Sequence, residues 1–301
     1  MPSLSAARVS NAQFAPKSRP VLVVFGGTGG IGAGIVRAFA HVPPSIGVHI
    51  VIIGRSKVAA DALIASLPAH ATSRYDFLPV NALLIHDLRL AIREQLYGTL
   101  GLKKINYLAL SQGTVDMNSA ALTSEGLHPM RSLGLYGRVR AALDLAPLLQ
   151  AAAALGEDAR VITVLGAGAG GPLNLEDVAL RKGSVAANRR RIITYTDIYT
   201  LALAKRFPDI SVTHIHPGLV KGGLKRGLSW PMRWVYGLVE WLFGTSSDDC
   251  GEWMMYALLD PTAKTGAHFK NRHAERAQPS RWADDKAQKI VWQHLEERSD
   301  L

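Results

Sequence analysis

The chain alternates short, almost wholly apolar runs rich in β-branched residues with longer stretches whose apolar positions recur at helical spacing. The runs Val21–Phe25, His49–Ile53, Tyr75–Pro79, Ile105–Leu110, Val161–Leu165 and Ser211–His216 read as strands. The stretches Gly30–Ala40, Lys57–Leu67, Ile85–Tyr97, Gly134–Leu155 and Ile192–Phe207 read as helices. Strands that are apolar at successive positions are buried on both faces, which demands a parallel sheet covered by helices. The pattern therefore predicts an α/β fold: a single Rossmann-like, doubly wound parallel sheet with helices on both faces. Ligands bind such a sheet at the carboxyl ends of its strands.

No linker breaks the rhythm, so residues 20–270 read as one domain. Residues 1–19 read as a polar N-terminal arm and residues 271–301 as a polar C-terminal tail. The pattern changes at about 222–246, where Trp230, Trp234, Tyr236, Trp241 and Phe243 are interrupted by Pro231, Arg233 and Glu240. That segment is too broken to span a membrane. It reads as a substrate-side flap or ordinary core, with peripheral contact to a membrane surface as the other reading.

Composition narrows the class. Of 301 residues, 48% are apolar and 19% charged, which suits a soluble globule with a large core. The single cysteine, Cys250, rules out an intrachain disulfide and a cysteine-built metal cluster, and fits a reducing, cytoplasmic setting. No acid precedes Asp61, which gives the chain's start the look of a mitochondrial presequence. It lacks the amphipathic arginine face of one, and it has no secretory apolar core. The net charge of +10 is scattered, apart from Arg189, Arg190 and Arg191. No nucleic-acid-binding motif accompanies it, so no nucleic-acid partner is expected, and a polyanionic ligand accounts for part of the charge.

The most telling segment is Phe25-Gly26-Gly27-Thr28-Gly29-Gly30-Ile31-Gly32, which follows a buried strand and opens a helix. One glycine allows the tight turn, another lets backbone approach a pyrophosphate, and Gly32 lets helix and strand pack closely. The helix N-terminus then offers free N–H groups and partial positive charge to phosphates.

The spacing Gly26, Gly30, Gly32 resembles the turn of the short-chain dehydrogenase/reductase family, with Phe25 where that family usually has Thr. The resemblance runs from about Val21 to Lys221. It includes Asn81-Ala82 after the third strand, Leu110-Ser111-Gln112-Gly113 in place of Asn-Asn-Ala-Gly, and Pro217-Gly218-Leu219-Val220 after the sixth. The surroundings are most similar to fungal members of secondary metabolism. The second strand ends Ile53-Gly54-Arg55-Ser56, where an acid would hold both ribose hydroxyls of NAD. Arg55 instead suits a 2′-phosphate, so NADP(H) is the expected cofactor. Gly26, Thr28, Gly29, Gly30, Ile31, Gly32, Arg55, Ser56, Asn81, Ala82, Ser111, Gln112, Gly113, Pro217, Gly218 and Val220 are its expected contacts. The resemblance also implies a hydrophobic small-molecule substrate and assembly as a homodimer or homotetramer.

The family's chemistry uses Tyr, a Lys four residues later, Ser and Asn. Here Tyr195 stands at the Tyr position, but Tyr199, Gly166 and Gly134 stand at the other three. Three substitutes suggest themselves. Arg191 would lower the Tyr195 pKa from one helical turn away. Ser111 or Thr163 would orient a substrate oxygen. Asp197 would protonate a basic substrate. Tyr195, Thr163, Arg191 and Ser111 are thus the candidate catalytic residues. His214 and His216 lie on one strand face without a third ligand at telling spacing, so no metal site is expected.

The leading expectation is an NADPH-dependent reductase of a carbonyl or iminium group. A non-redox cyclase or isomerase on the same fold, and a non-catalytic NADP(H)-binding regulator, are the alternatives.

Overall fold

The computed structural model describes residues 2–41, 45–114, 118, 120–221, 234, 237, 239, 240, 242 and 244–300. Seven parallel strands form one sheet in the order β3-β2-β1-β4-β5-β6-β7. They are β1 (Val21–Phe25), β2 (His49–Gly54), β3 (Arg74–Pro79), β4 (Tyr107–Leu110), β5 (Arg160–Val164), β6 (Ser211–Ile215) and β7 (Gly266–Lys270). Strand order reverses at β1, which lies between β2 and β4. The crevice at that reversal is where a doubly wound sheet takes its ligand.

Two hydrophobic layers sandwich the sheet, because alternate residues of each strand face opposite sides. Val21, Val23 and Phe25 face a layer built by α4 (Ile85–Ala91), α6 (Gly137–Ala154), α7 (Val185–Arg206) and α9 (Asp285–Ser299). Leu22 and Val24 face the other layer, where α1 (Leu4–Ala12), α2 (Gly30–Phe39), α3 (Lys57–Ala65) and α8 (Ser247–Leu258) pack. Each six-stranded expectation from the sequence is met to within two residues.

The differences have local causes. Helix α4 runs on into a π-helical stretch, Ile92–Thr99, and another, Ser132–Tyr136, joins the short α5 (Pro129–Arg131) to α6. Helix α7 starts seven residues before the expected Ile192, because the Ser184 hydroxyl caps it by accepting from Ala187 N at 3.2 Å. The strand Gly266–Lys270 was not expected from its polar composition; it adds to β6 in the register Val212↔Ala267 and Ile215↔Lys270.

The segments read as polar arm and polar tail carry structure of their own. In α9, Ala287, Val291 and Leu295 recur every four residues and are buried against the core. In the arm, α1 docks on α8, and Phe14 stacks on Phe39 and Tyr107 at 5.9 and 6.0 Å. The aromatic flap falls mostly outside the described residues: Trp230, Tyr236, Trp241 and Phe243 are not among them, while Trp234 is exposed.

Candidate active site

The glycine turn is held by β2. The amides of Gly26 and Gly27 both donate to Ile53 O, at 2.9 and 3.1 Å. Gly26 adopts φ +76°, and a Cβ there would stand 2.8 Å from the Gln112 backbone nitrogen. A Cβ on Gly32 would stand 2.3 Å from Gly26 O and 2.5 Å from the Ser111 hydroxyl. These two glycines let β1, β4 and α2 close on one another.

Gly29 and Gly30 are different. A Cβ on either would meet no atom of the described residues within 4 Å. Gly29 is the N-cap of α2 and provides no side chain to cap its amides. The first turn of α2 thus presents backbone N–H groups to open space, a cradle suited to a pyrophosphate.

The end of β2 shows why no acid stands there. A Cβ on Gly54 would fall 2.7 Å from Thr28 Cγ2 and 2.8 Å from its Oγ1, so Thr28 occupies that space. Arg55 next to it is exposed. The Ser56 hydroxyl accepts from Ala59 N at 3.2 Å and caps α3. Asn81 is exposed, and its Oδ1 accepts from Leu83 N at 3.4 Å.

Beyond β4, Gln112 is buried, yet neither its Nε2 nor its Oε1 has a hydrogen-bond partner among the described residues. A buried amide with both ends unpaired costs free energy until a ligand or water completes it. Together with the open cradle, this makes the crevice fit a dinucleotide. Across it, Gly218 adopts φ +75° and donates to His216 Nδ1 at 2.9 Å. Val220 bridges to Thr245, anchoring the Pro217–Val220 segment.

The four candidate catalytic residues each bond to groups other than one another. The Ser111 hydroxyl donates to Phe25 O at 2.7 Å and ties β4 to β1. Tyr195 is buried, and its hydroxyl donates to Val178 O at 3.0 Å. Arg191 donates to Lys182 O and Asn188 Oδ1, each at 3.1 Å. Arg191 draws the Tyr195 pKa down, as expected, but is outweighed. Burial pushes the phenol up, Tyr136 and Asp177 add to this, and Arg191 opposes it as the smallest contribution.

Thr163 is wholly buried and belongs to a cluster the sequence reading missed. The Arg138 guanidinium, itself buried, donates to Thr163 Oγ1 at 2.8 Å, to Val164 O at 2.9 Å and to Gln112 O at 2.6 Å. The Tyr199 hydroxyl also donates to Thr163 Oγ1. Burial raises the Tyr199 pKa, against the lowering influence of Arg138. The signal lay in helix α6, where Arg138 shares the stripe of Ala142, Leu145 and Leu149, all of them buried. A lone cation on an otherwise apolar stripe marks a buried charge.

Asp197 is neither solvated nor a free acid. It is wholly buried and pairs with His214 Nδ1 at 2.7 Å. Among the described residues, no group of three or more His, Cys, Asp or Glu could hold a metal ion. No described helix is long and apolar enough to cross a membrane.

No protein-family model matches the chain. An oxidoreductase of Emericella nidulans is 28% identical over 246 residues, spanning 81% of this chain and 71% of the relative. A short-chain dehydrogenase/reductase of Stachybotrys chartarum is 28% identical over 280 residues, spanning 85% of this chain and 77% of the relative. Among solved structures, the 3-ketoacyl-(acyl-carrier-protein) reductase of Brucella melitensis, complexed with NADH, superposes with a TM-score of 0.62. It is 16% identical and covers 85% of this chain and 99% of its own.

Proposed function

Because the chain is similar in sequence to fungal oxidoreductases and in fold to short-chain dehydrogenase/reductases, we propose that it is a member of that family and an NADPH-dependent reductase of a carbonyl or iminium group in a hydrophobic small molecule of fungal secondary metabolism. The observation that carries the cofactor reading is the pair at the end of β2. Thr28 fills the space an acid would need at Gly54, and the exposed Arg55 follows. A guanidinium there favours the 2′-phosphate of NADP(H) and offers nothing to a ribose diol that an acid would.

In this reading the amides from Thr28 to Gly32 hold the pyrophosphate, with Gly26 shaping the turn. Arg55 and Ser56 face the 2′-phosphate, and Asn81 and Ala82 lie by the adenine. Ser111, Gln112 and Gly113 on one side, and Pro217, Gly218 and Val220 on the other, flank the nicotinamide end. The bound cofactor supplies the hydride.

What remains for the chain is orientation and, for a ketone, a proton. The hydroxyls of Ser111, Thr163 and Tyr195 are all engaged with protein partners. An iminium carbon already carries the positive charge that draws hydride and needs no proton donor, so engaged hydroxyls favour that acceptor. The test is consumption of NADPH, followed by its absorbance, with a cyclic iminium and with hydrophobic ketones. Turnover of the iminium above the ketones is expected; no NADPH consumption with any of them overturns the reading. The same engaged hydroxyls favour a non-redox cyclase or isomerase as second reading, and product formation that persists with NADP⁺ in place of NADPH would select it.

A further inference from the structure

We propose that Asp197 and His214 are a positioning pair that latches the loop after β5 to helix α7 and to the segment around Ser280, and so fixes the substrate-side wall of the crevice. That this loop forms the substrate-side wall rests on the reading above; the latch itself rests on the geometry alone.

Four separate parts of the chain meet at this pair. Asp197 comes from α7 and His214 from β6, and both side chains are fully buried. One carboxylate oxygen takes the His214 Nδ1 contact at 2.7 Å, with Gly168 N at 3.5 Å. The other accepts from Ser280 N at 2.8 Å. Gly166 N donates to His214 Nε2 at 3.1 Å. Because Nε2 accepts, the ring proton sits on Nδ1 and points at Asp197, which fixes the tautomer. Both oxygens of Asp197 thus accept from N–H groups.

The loop it holds fits flush. A Cβ on Gly168 would stand 2.5 Å from Gln278 O, and one on Gly170 would stand 2.2 Å from Thr194 Oγ1. The Thr194 hydroxyl donates to Gly171 O at 2.8 Å, and Gly171 N to Arg190 O at 3.0 Å. Gly166, the first residue latched, stands where the carboxyl edge of β5 opens to the crevice. A buried hydrogen-bonded Asp–His pair is a poor source of net stability, since desolvation offsets the attraction. What it gives is one arrangement of the loop, because removing either partner strands the other.

The latch has a chemical weak point. Protonating His214 would place an N–H on Nε2 facing the N–H of Gly166, and that contact must open. The groups facing the ring are Asp197 from α7, Arg138 from α6 and His216 along β6; β7 contributes the Phe269 ring at 6.4 Å and β5 its register partner Thr163. Burial holds the imidazole below its ordinary range, Asp197 opposes this, and Arg138 and His216 reinforce it. The loop is therefore closed at neutral pH and released in acid.

The test is backbone hydrogen exchange on the full chain, with and without NADPH, for wild type, Asp197→Asn and His214→Leu. At about pH 7.5, both variants should exchange residues 166–171 and 280 at least about tenfold faster, with peptides from β1, β2 and β4 unchanged. Wild type, corrected for intrinsic exchange, should lose protection at the same residues progressively as the pH falls below about 6.5, which keeps the test open if a variant does not fold. NADPH affinity, by fluorescence, should stay within about twofold in the variants, while KM for an accepted ketone or iminium rises about tenfold with little change in kcat. Unchanged loop protection, or faster exchange spread evenly over the sheet, overturns the latch. Failure of wild type to bind or oxidise NADPH, with the loop responding as stated, overturns the cofactor reading and leaves the latch standing.

Discussion

The guanidinium of Arg138 donates to the hydroxyl of Thr163 at 2.8 Å, deep between helix α6 and strand β5. A residue expected to orient substrate is thereby the partner of a buried cation. The same guanidinium reaches Val164 O and Gln112 O, so it ties the carboxyl ends of β4 and β5 together. Arg138→Met would leave three buried oxygens short of a donor. A loss of about 3–5 kcal/mol of stability is expected, read from urea unfolding. Arg138→Lys should recover only part of it, since an ammonium lacks the planar fork. A Met variant as stable as wild type would refute the tie.

Two glycines of one turn should behave oppositely. Gly32→Ala puts a methyl 2.3 Å from Gly26 O, and overpacking of backbone against backbone should cost about 1–3 kcal/mol or more. Gly29→Ala meets no atom of the described residues within 4 Å, and its extended backbone suits any residue. It should keep the melting temperature while weakening NADPH binding about tenfold or more, because the methyl enters the phosphate cradle. Paired thermal melts and fluorescence titrations decide this.

Replacing Arg55 by Asp should move cofactor preference toward NADH. A charge-assisted hydrogen bond is worth about 1.5–3 kcal/mol, so NADPH affinity should fall about 10- to 100-fold. Affinity for NADH should hold or rise, and the melting temperature should not change, since Arg55 is exposed. Equal losses for both cofactors would argue against a 2′-phosphate contact.

Tyr195→Phe removes one buried hydrogen bond, to Val178 O. The expected outcome is a stability loss of about 1 kcal/mol, with turnover reduced less than about tenfold. A general acid would instead lose about 10²-fold or more in kcat. That larger loss, measured on any substrate the enzyme accepts, would restore Tyr195 to the chemistry.

Six of the seven strands, the parallel sheet and the glycine turn after β1 were legible in the sequence, because each depends on local pattern. Val21–Phe25 is apolar throughout, and Gly26 to Gly32 carry their spacing on their face. Helices α1 and α8 also escaped; of the missed elements, β7 and α9 have polar compositions and bury only a narrow edge or stripe. They gain their order from what they pack on, and a pattern read along the chain does not register that.

By itself, then, the sequence determined the doubly wound sheet, the glycine turn between β1 and α2, and the Gly54-Arg55 pair at the end of β2. Tertiary structure alone decided which side chains are spoken for. Tyr195 and Tyr199 lie four residues apart on one helix, yet one hydroxyl meets Val178 and the other Thr163. Arg191 is a turn away from Tyr195 and spends its donors on a loop, whereas Arg138, 57 residues earlier in the chain than Tyr195, reaches the strand ends. Hydrogen bonds and burial are set by proximity in space, and helical spacing fixes only which neighbours a side chain has on its own element.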